Sequence, residues 1–198
     1  MAVYKLSGTS VKNGRTEYSS FLAGNPKFVP NSFESIATTT VGSNVSEITF
    51  SSIPSTYTHL QFRLITRTNR NTAEDGFRIT INDDTNTSNY RAHVIYGDGS
   101  SSVGQAITGV GWAGYYPTNS SSSVFGAGVM DFLDYANTNK AKTMRHLGGY
   151  DANGSGYIVL SSSLWTSTAA ITKIKFTFDS ASSFTQYSQL ALYGIKGV

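Results

Sequence analysis

The chain has 198 residues, a formal net charge of +3 and no cysteine, and only 14% of its residues are charged. The lack of cysteine excludes disulfides, thiolate zinc sites and cysteine nucleophiles. The low charge content argues against a nucleic-acid partner, which requires clustered Lys and Arg. The length suits one large all-β domain, alone or with an arm.

The first segment, Met1–Phe33, differs in character from the rest of the chain. It contains four cations, one anion and two prolines among scattered apolar residues, so the whole excess of positive charge lies here. We predict an extended arm, with a hairpin at Asn13–Gly14, that anchors the protein on an acidic protein surface. An uneven charge distribution of this size also arises by chance. The predicted partner-binding residues of the arm are Lys5, Lys12, Arg15 and Lys27.

Neither a secretory signal nor a membrane span is expected from the sequence. Residues 1–7 lack the apolar core of a signal peptide. No apolar run approaches the 18 residues that a membrane span needs. We therefore expect the protein to be made in soluble form.

From residue 34 onward, apolar and polar residues alternate repeatedly. In Leu60–Arg67, Phe77–Asn82 and Thr172–Phe178 the apolar side chains recur at every second position, with basic residues between them. This period of two is typical of half-buried strands. Further strands are predicted at Ser35–Val41, Glu47–Ser51, Tyr90–Tyr96, Val124–Asp134, Lys142–Tyr150, Tyr157–Leu164 and Gln186–Ile195.

Polar clusters separate these predicted strands, and no segment is convincing as a helix. The nearest is Met130–Lys142, MDFLDYANTNKAK, but its Asn and Thr residues favour a strand that runs into a loop. A series of about ten short strands with polar turns predicts an all-β, jelly-roll-like antiparallel β-sandwich over residues 34–198.

Five long segments of the body follow one another in a characteristic order: FESIATTTVGSNVSEITFSSIPSTYTHLQFR (Phe33–Arg63), NYRAHVIYGDGSS (Asn89–Ser101), MDFLDYANTNKAKTMRHLGGYDANGSG (Met130–Gly156), LSSSLWTSTAAITKIKF (Leu160–Phe176) and YSQLALYGIKGV (Tyr187–Val198). In these segments the chain resembles a family of tailed-bacteriophage virion proteins that is common among phages of aquatic bacteria. The resemblance covers most of the body but not the arm. It implies a β-sandwich virion component, of the tail-fibre or structural kind, and it implies no reaction.

The leading hypothesis is therefore a non-enzymatic structural protein of a phage virion, assembled in the host cytoplasm. We expect a surface-exposed component of the fibre or receptor-binding type, anchored by its arm to other virion proteins and forming a homotrimer or higher homo-oligomer. A host surface glycan is a further candidate partner, whereas nucleic acid is not. One alternative is a head decoration (cement) protein that stabilises the capsid. A second alternative, of a different class, is a carbohydrate-active or calcium-dependent glycan-binding module.

One segment, YDANGSG (Tyr150–Gly156), looks like part of a calcium-binding loop. Asp151 and Asn153 fill ligand positions 1 and 3 of such a loop, but position 5 is the weak ligand Ser155 and position 12 falls on Ser162. A calcium loop of this kind needs a bidentate Glu at position 12. We therefore predict a turn, in which the Asp and Asn side chains bond to the local backbone and Gly adopts positive φ.

Other titratable residues show no catalytic or metal-binding spacing. Asp131 and Asp134 would point to opposite faces of a strand, and Asp83 and Asp84 are adjacent in a polar turn. The histidines, His59, His93 and His146, lie far apart without HxH or HxxxH spacing, and we expect His59 and His146 to point outward from their strands. We predict no catalytic residue, no metal site and no cofactor.

The aromatic residues are a better indication of function. The segment GVGWAGYYPTNSSSS (Gly109–Ser123) carries Trp112, Tyr115 and Tyr116 in what we predict to be a Gly-rich loop. Exposed Trp and Tyr rings are good anchors for sugar rings or protein partners, although large aromatics also serve as packing at subunit interfaces. Trp165 lies beside apolar neighbours, and we expect it to be buried or half-buried.

Overall fold

The computed structural model describes residues 33–118 and 123–196. The predicted arm therefore lies outside the described residues except for Phe33, and so do its basic residues Lys5, Lys12, Arg15 and Lys27. Within the described part, no helix is long and apolar enough to cross a membrane.

The described part of the chain contains twelve strands and one short 3-10 helix at Thr87–Asn89. The strands are β1 (Phe33–Thr40), β2 (Ile48–Phe50), β3 (His59–Thr66), β4 (Glu74–Ile81), β5 (Tyr90–Gly97), β6 (Ser102–Thr108), β7 (Gly111–Pro117), β8 (Gly126–Leu133), β9 (Lys142–Asp151), β10 (Gly156–Trp165), β11 (Ile174–Phe178) and β12 (Gln189–Ile195).

The strands form two antiparallel sheets of unequal width. The large sheet has eight strands in the order β1-β12-β3-β8-β9-β10-β5-β6, and the small sheet has four in the order β2-β11-β4-β7. Every strand pair in both sheets is antiparallel. The predicted all-β antiparallel sandwich is confirmed.

Two of the twelve strands were not predicted from the sequence. Strand β6 begins within the polar cluster GDGSSSVG (Gly97–Gly104), one of the clusters that separate the predicted strands, and β7 is the segment that we predicted to be a Gly-rich loop. Both are edge strands, at the margin of the large and the small sheet respectively. Strand β7 is covered on both faces, whereas in β6 only Val103 and Ile107 are half-buried and the other residues are exposed. Neither strand therefore alternates apolar and polar residues, so the sequence signal is weak.

Aromatic rings fill the space between the sheets. Phe62 from the large sheet meets Phe50 and Phe176 from the small sheet, with ring centroids 5.1 and 4.9 Å apart in edge-to-face geometry. Phe77 stacks on Phe176 at 5.4 Å. All four rings are buried, and burial of each stabilises the fold by about 1.5–3 kcal/mol. These rings are the inward-facing members of the alternating segments seen in the sequence.

The large sheet extends beyond the edge of the small sheet. Strand β7, at that edge, packs over β9, β10 and part of β5, while the inner face of β6 is only half-buried at Val103 and Ile107. A second, smaller apolar cluster forms in this region around Trp112, Val94 and Val159. The sandwich is therefore open along one side, where partly covered rings meet solvent.

Candidate functional site

The outer face of the large sheet, which points away from the small sheet, carries a row of exposed aliphatic side chains. Strand pairing brings Ile95, Leu160, Leu147 and Val129 into one line across β5, β10, β9 and β8. Their exposed fractions are 62%, 52%, 55% and 36%. We call these four residues the aliphatic row. An apolar line of this length on a solvent-facing sheet is typical of an interaction surface.

Further apolar side chains extend this surface. Ile158, on β10, is 65% exposed and Ile65, on β3, is 50% exposed. A shallow groove of about 580 Å³ follows Ile95 and Leu160 towards the β6 edge. A second groove, of about 600 Å³, runs past Ile65 and Val129 towards β12. The aliphatic row thus lines both depressions of this face, with Ile95 and Leu160 in the first and Leu147 and Val129 in the second.

A polar row runs beside the aliphatic row, displaced from it by two residues along each strand. It consists of His93, Ser162, Arg145, Asp131 and Gln61, which are paired in register across β5, β10, β9, β8 and β3. Asp131 accepts a hydrogen bond from Gln61 Nε2 at 2.9 Å and pairs with Arg145 Nη2 at 3.4 Å. The row therefore offers both donors and acceptors on one surface.

The aromatic residues predicted as a ligand or interface loop lie on strand β7 instead. Trp112 and Tyr116 are buried, and Tyr116 points into the core, where its hydroxyl bonds to His146 Nε2 at 2.9 Å. Tyr115 is half-buried and points over the edge of β7 onto the overhanging part of the large sheet. Of the three residues, only Tyr115 reaches solvent.

Tyr115 belongs to a group of four tyrosines that the sequence does not place together. Its ring centroid lies 5.4 Å from Tyr96 and 5.2 Å from Tyr157, and Tyr157 lies 6.1 Å from Tyr150. All four rings are half-buried. We call them the tyrosine cluster. A sequence signal exists, because Tyr96, Tyr150 and Tyr157 each flank a Gly-rich hairpin turn.

The segment YDANGSG forms the turn between β9 and β10. Asp151 Oδ1 accepts a hydrogen bond from the Asn153 N–H at 2.7 Å, and the Ala152 N–H donates to the Ser155 carbonyl. Asn153 and Gly154 have φ values of 60° and 107°. The interpretation as a turn is consistent with this geometry. Over the described ranges, no group of three or more His, Cys, Asp or Glu side chains could hold a metal ion.

The histidines are not brought together, and the orientation expected for one of them is wrong. His146 points inward and is buried, because its neighbour Leu147 takes the outward position on β9. His59 Nδ1 accepts a hydrogen bond from the Asp134 N–H at 3.0 Å. His93 is exposed on β5, four strands away from His59 in the large sheet.

The acidic pairs have separate structural partners. Asp131 belongs to the polar row, whereas Asp134 lies in the turn after β8 and pairs with Lys140. Asp83 pairs with Lys173 at 2.8 Å. Asp84 accepts hydrogen bonds from the indole of Trp165 and from an Asn side chain, both at 2.7 Å, and the indole N–H lowers the pKa of this carboxyl. Neither pair forms two facing carboxylates. The expected burial of Trp165 is confirmed.

Comparison with known proteins gives no family for this chain. No protein-family model matches the sequence, and no curated protein matches it. Among solved structures, a galectin of Caenorhabditis elegans, LEC-6, is similar at a TM-score of 0.34 and 9% identity, covering 81% of this chain and 96% of the galectin. Scytalido-glutamic peptidase is similar at a TM-score of 0.21 and 12% identity, covering 78% and 66%. At such low scores, neither likeness carries an argument about this chain.

Proposed function

We propose that this protein is a non-enzymatic structural component of a tailed-phage virion that assembles with copies of itself through the outer face of the large sheet. The exposed aliphatic row carries the proposal of assembly. The virion context is supported by the resemblance of the five body segments to phage virion proteins. In this role the protein is a surface component of the fibre or receptor-binding type, and residues 1–33 anchor it to the particle.

The aliphatic row is costly to leave in water. Each of its side chains is more than a third exposed, and Leu147 and Leu160 lie next to each other on paired strands. Covering such a side chain stabilises the complex by about 1–2 kcal/mol, at roughly 25 cal/mol per Å² of apolar surface. Soluble monomers expose scattered apolar residues, but a contiguous line supports a binding surface.

The area of the outer face fits a second copy of this chain. Eight strands about 4.8 Å apart and about 25 Å long give a face of roughly 950 Å². A standard stable interface takes about 800 Å² from each partner. The large sheet alone therefore offers enough surface for such an interface.

The chemistry of the outer face is also self-complementary, as a two-fold interface requires. Its aliphatic row can pack against the same row of a second copy, because the side chains of the row are uncharged and do not repel one another. A two-fold axis that runs parallel to the strands, between β8 and β9, sets Leu147 of one copy against Val129 of the other. The same axis sets Arg145 against Asp131, so opposite charges meet.

The oligomeric state of the full chain tests this proposal. We expect light scattering after size-exclusion chromatography to give at least twice the chain mass of 21.3 kDa. Leu147→Glu adds a charge to the middle of the aliphatic row and should shift the mass to that of a monomer. The matched control is Thr49→Glu, an exposed strand position on the small sheet beside Lys175. A monomeric wild-type chain, or an unchanged oligomer in Leu147→Glu, contradicts assembly through this face.

Virion membership needs a separate experiment. Immunogold labelling of gradient-purified phage particles should reveal the protein on the particle surface. In the full chain, joint replacement of Lys5, Lys12, Arg15 and Lys27 by Gln should lower its incorporation, since the arm then lacks its positive charge. Particles without the protein contradict the virion role, and unchanged incorporation of the variant contradicts anchoring by charge.

A further inference from the structure

Two hairpin turns enclose a groove at one end of the large sheet. Strands β5 and β10 pair antiparallel with Gly97 opposite Ile158, so the β5–β6 turn lies beside the β9–β10 turn. Asp98 and Gly99 line one wall of the groove, and Asp151, Gly154 and Ser155 line the other. The volume is about 360 Å³, within the usual range of small-ligand sites, about 300–1,000 Å³.

The tyrosine cluster forms the apolar surface of this region. Tyr150 and Tyr157 line the groove itself, while Tyr115 and Tyr96 continue the ring surface under the β7 edge. The Tyr150 hydroxyl donates to the Ala73 carbonyl at 3.0 Å, which fixes that ring. The groove thus has rigid, flat rings on one side, of the kind that binds a ligand with little loss of side-chain entropy.

One other tyrosine of the groove has a hydroxyl that a ligand can use. Within residues 33–118 and 123–196, the hydroxyls of Tyr96, Tyr115 and Tyr157 form no hydrogen bond, and of these three residues Tyr157 lines the groove. Burial raises the pKa of Tyr115 and of Tyr157, so both phenols keep their protons at neutral pH. Each can therefore donate and accept a hydrogen bond.

Glycines keep the walls of the groove low. A Cβ added at Gly99 or Gly154 would meet nothing within 4 Å, and both residues have positive φ. A Cβ at Gly156 would lie 2.3 Å from the Tyr150 carbonyl oxygen. The turns therefore present backbone and short polar side chains at the rim and leave the rings accessible from above.

The charge of the rim selects against anions. Among the described residues that line the groove there is no Lys or Arg, but there are two acidic residues, Asp98 and Asp151. The backbone N–H groups of Ser101 and Ser100 lower the pKa of Asp98 to about 2, so this carboxylate is ionised at neutral pH. Phosphate groups and acidic sugars would be repelled.

We propose that this groove, between the tyrosine cluster and the turns at Asp98 and Asp151, binds an uncharged saccharide. The C–H faces of a sugar ring are apolar and pack on Tyr150 and Tyr157, while its hydroxyls bond to the rim carboxylates, Ser155 and the Tyr157 phenol. Flat apolar contact together with a few placed polar groups is the usual composition of a small-ligand site. The groove touches the outer face only through Ile158, and none of the four residues of the aliphatic row lines it.

A neutral-glycan array and saturation-transfer NMR with maltohexaose, cellohexaose and hexa-N-acetylchitohexaose test the site on the full chain, with oligogalacturonate as the anionic comparison. We expect at least one neutral glycan to bind and the anionic one not to bind. Absence of binding to every neutral glycan on the array and in the NMR experiments overturns the proposal. Binding of oligogalacturonate in preference to the neutral glycans overturns it as well.

Variants locate the binding in the groove. Tyr157→Ala should weaken the saccharide affinity by at least about tenfold. Asp151→Asn keeps the side-chain oxygen that accepts from the Asn153 N–H and should weaken the affinity several-fold. This second variant provides the test if Tyr157→Ala does not fold. The matched control is Tyr187→Ala, which removes a tyrosine that is 70% exposed elsewhere. Leu147→Glu should bind as the wild type does, which separates this site from the assembly face. Unchanged affinity in Asp151→Asn and in folded Tyr157→Ala overturns the assignment of the site.

Discussion

The Tyr116 hydroxyl and His146 Nε2 lie 2.9 Å apart between the two sheets, where both side chains are buried. Burial lowers the pKa of His146 to about 3, because desolvation disfavours the imidazolium, and it raises the pKa of Tyr116. The pair is therefore neutral at neutral pH. His146 Nδ1 is buried without a hydrogen-bond partner in the described part of the chain. The bond between Nε2 and the Tyr116 hydroxyl is therefore the one side-chain hydrogen bond of His146 in that part.

We predict that stability falls as the pH is lowered from about 6.5, and that His146 causes a defined part of the loss. In the unfolded chain His146 binds a proton near its ordinary pKa of 6.5, but in the fold it does so only near pH 3. Between these values the unfolded state binds more protons, which destabilises the fold by about 1.4 kcal/mol per pH unit. Above pH 6.5 the residue contributes no pH dependence.

Urea unfolding between about pH 7 and pH 4 measures this slope. His146→Gln removes the titration but keeps a polar group for Tyr116, so its stability should depend less on pH than that of the wild type. His93→Gln is the matched control, because His93 is exposed on the outer face. Equal slopes in the wild type and in His146→Gln would show that His146 is protonated in the folded state at mildly acidic pH.

Three glycines make room for the His146 ring, and one of them gives a sharp prediction. A Cβ at Gly128 would lie 2.3 Å from the Tyr116 hydroxyl and 2.7 Å from His146 Nε2. Because both partners are buried, Gly128→Ala should lower the free energy of unfolding by about 1–3 kcal/mol or more, as overpacking does. Thermal and urea unfolding measure the loss.

Gly104→Ala provides the control for this substitution. Gly104 also lies within a strand, β6, but a Cβ there would meet nothing within 4 Å. Alanine at such a site should be neutral or should stabilise the fold by a few tenths of a kcal/mol to about 1 kcal/mol, since it restricts the unfolded chain. Equal losses in Gly104→Ala and Gly128→Ala would mean that contact with the Tyr116–His146 pair is not the cause.

Most of the strands that the sequence predicted have a covered face and an exposed face. In β11, for example, Ile174, Phe176 and Phe178 point into the core and Lys175 points out, so a period of two is visible. Strands β6 and β7 lack this pattern. In β7 the inward positions include Gly114, where a Cβ would lie 2.8 Å from the His146 ring. A packing requirement of the tertiary structure thus removed the local signal.

The candidate sites were less predictable than the fold because each depends on register. The aliphatic row has a trace in the sequence, since Ile158, Val159 and Leu160 are consecutive apolar residues in a predicted strand, which implies apolar surface on both faces. Which residues of other strands join that line follows only from the pairing of β10 with β5 and β9. The tyrosine cluster likewise joins β5, β7, β9 and β10, whose rings meet only because β7 ends the small sheet.

Removal of calcium should change neither the melting temperature nor the saccharide affinity of the protein. This result would distinguish the proposed functions from those of a calcium-dependent module. Asp98 and Asp151 both line the saccharide groove, but they form no group of three acidic or histidine side chains in the described part of the chain. If a site bound calcium with a dissociation constant a hundredfold below the added concentration, the ion would stabilise the fold by about 2.7 kcal/mol. For a chain of this size that is a rise in melting temperature of roughly 5–10 °C. We expect a change of less than about 1 °C between chelator and excess calcium, and equal saccharide affinity in both conditions. A larger rise with calcium would instead show that the turn at Asp151 is part of a metal site.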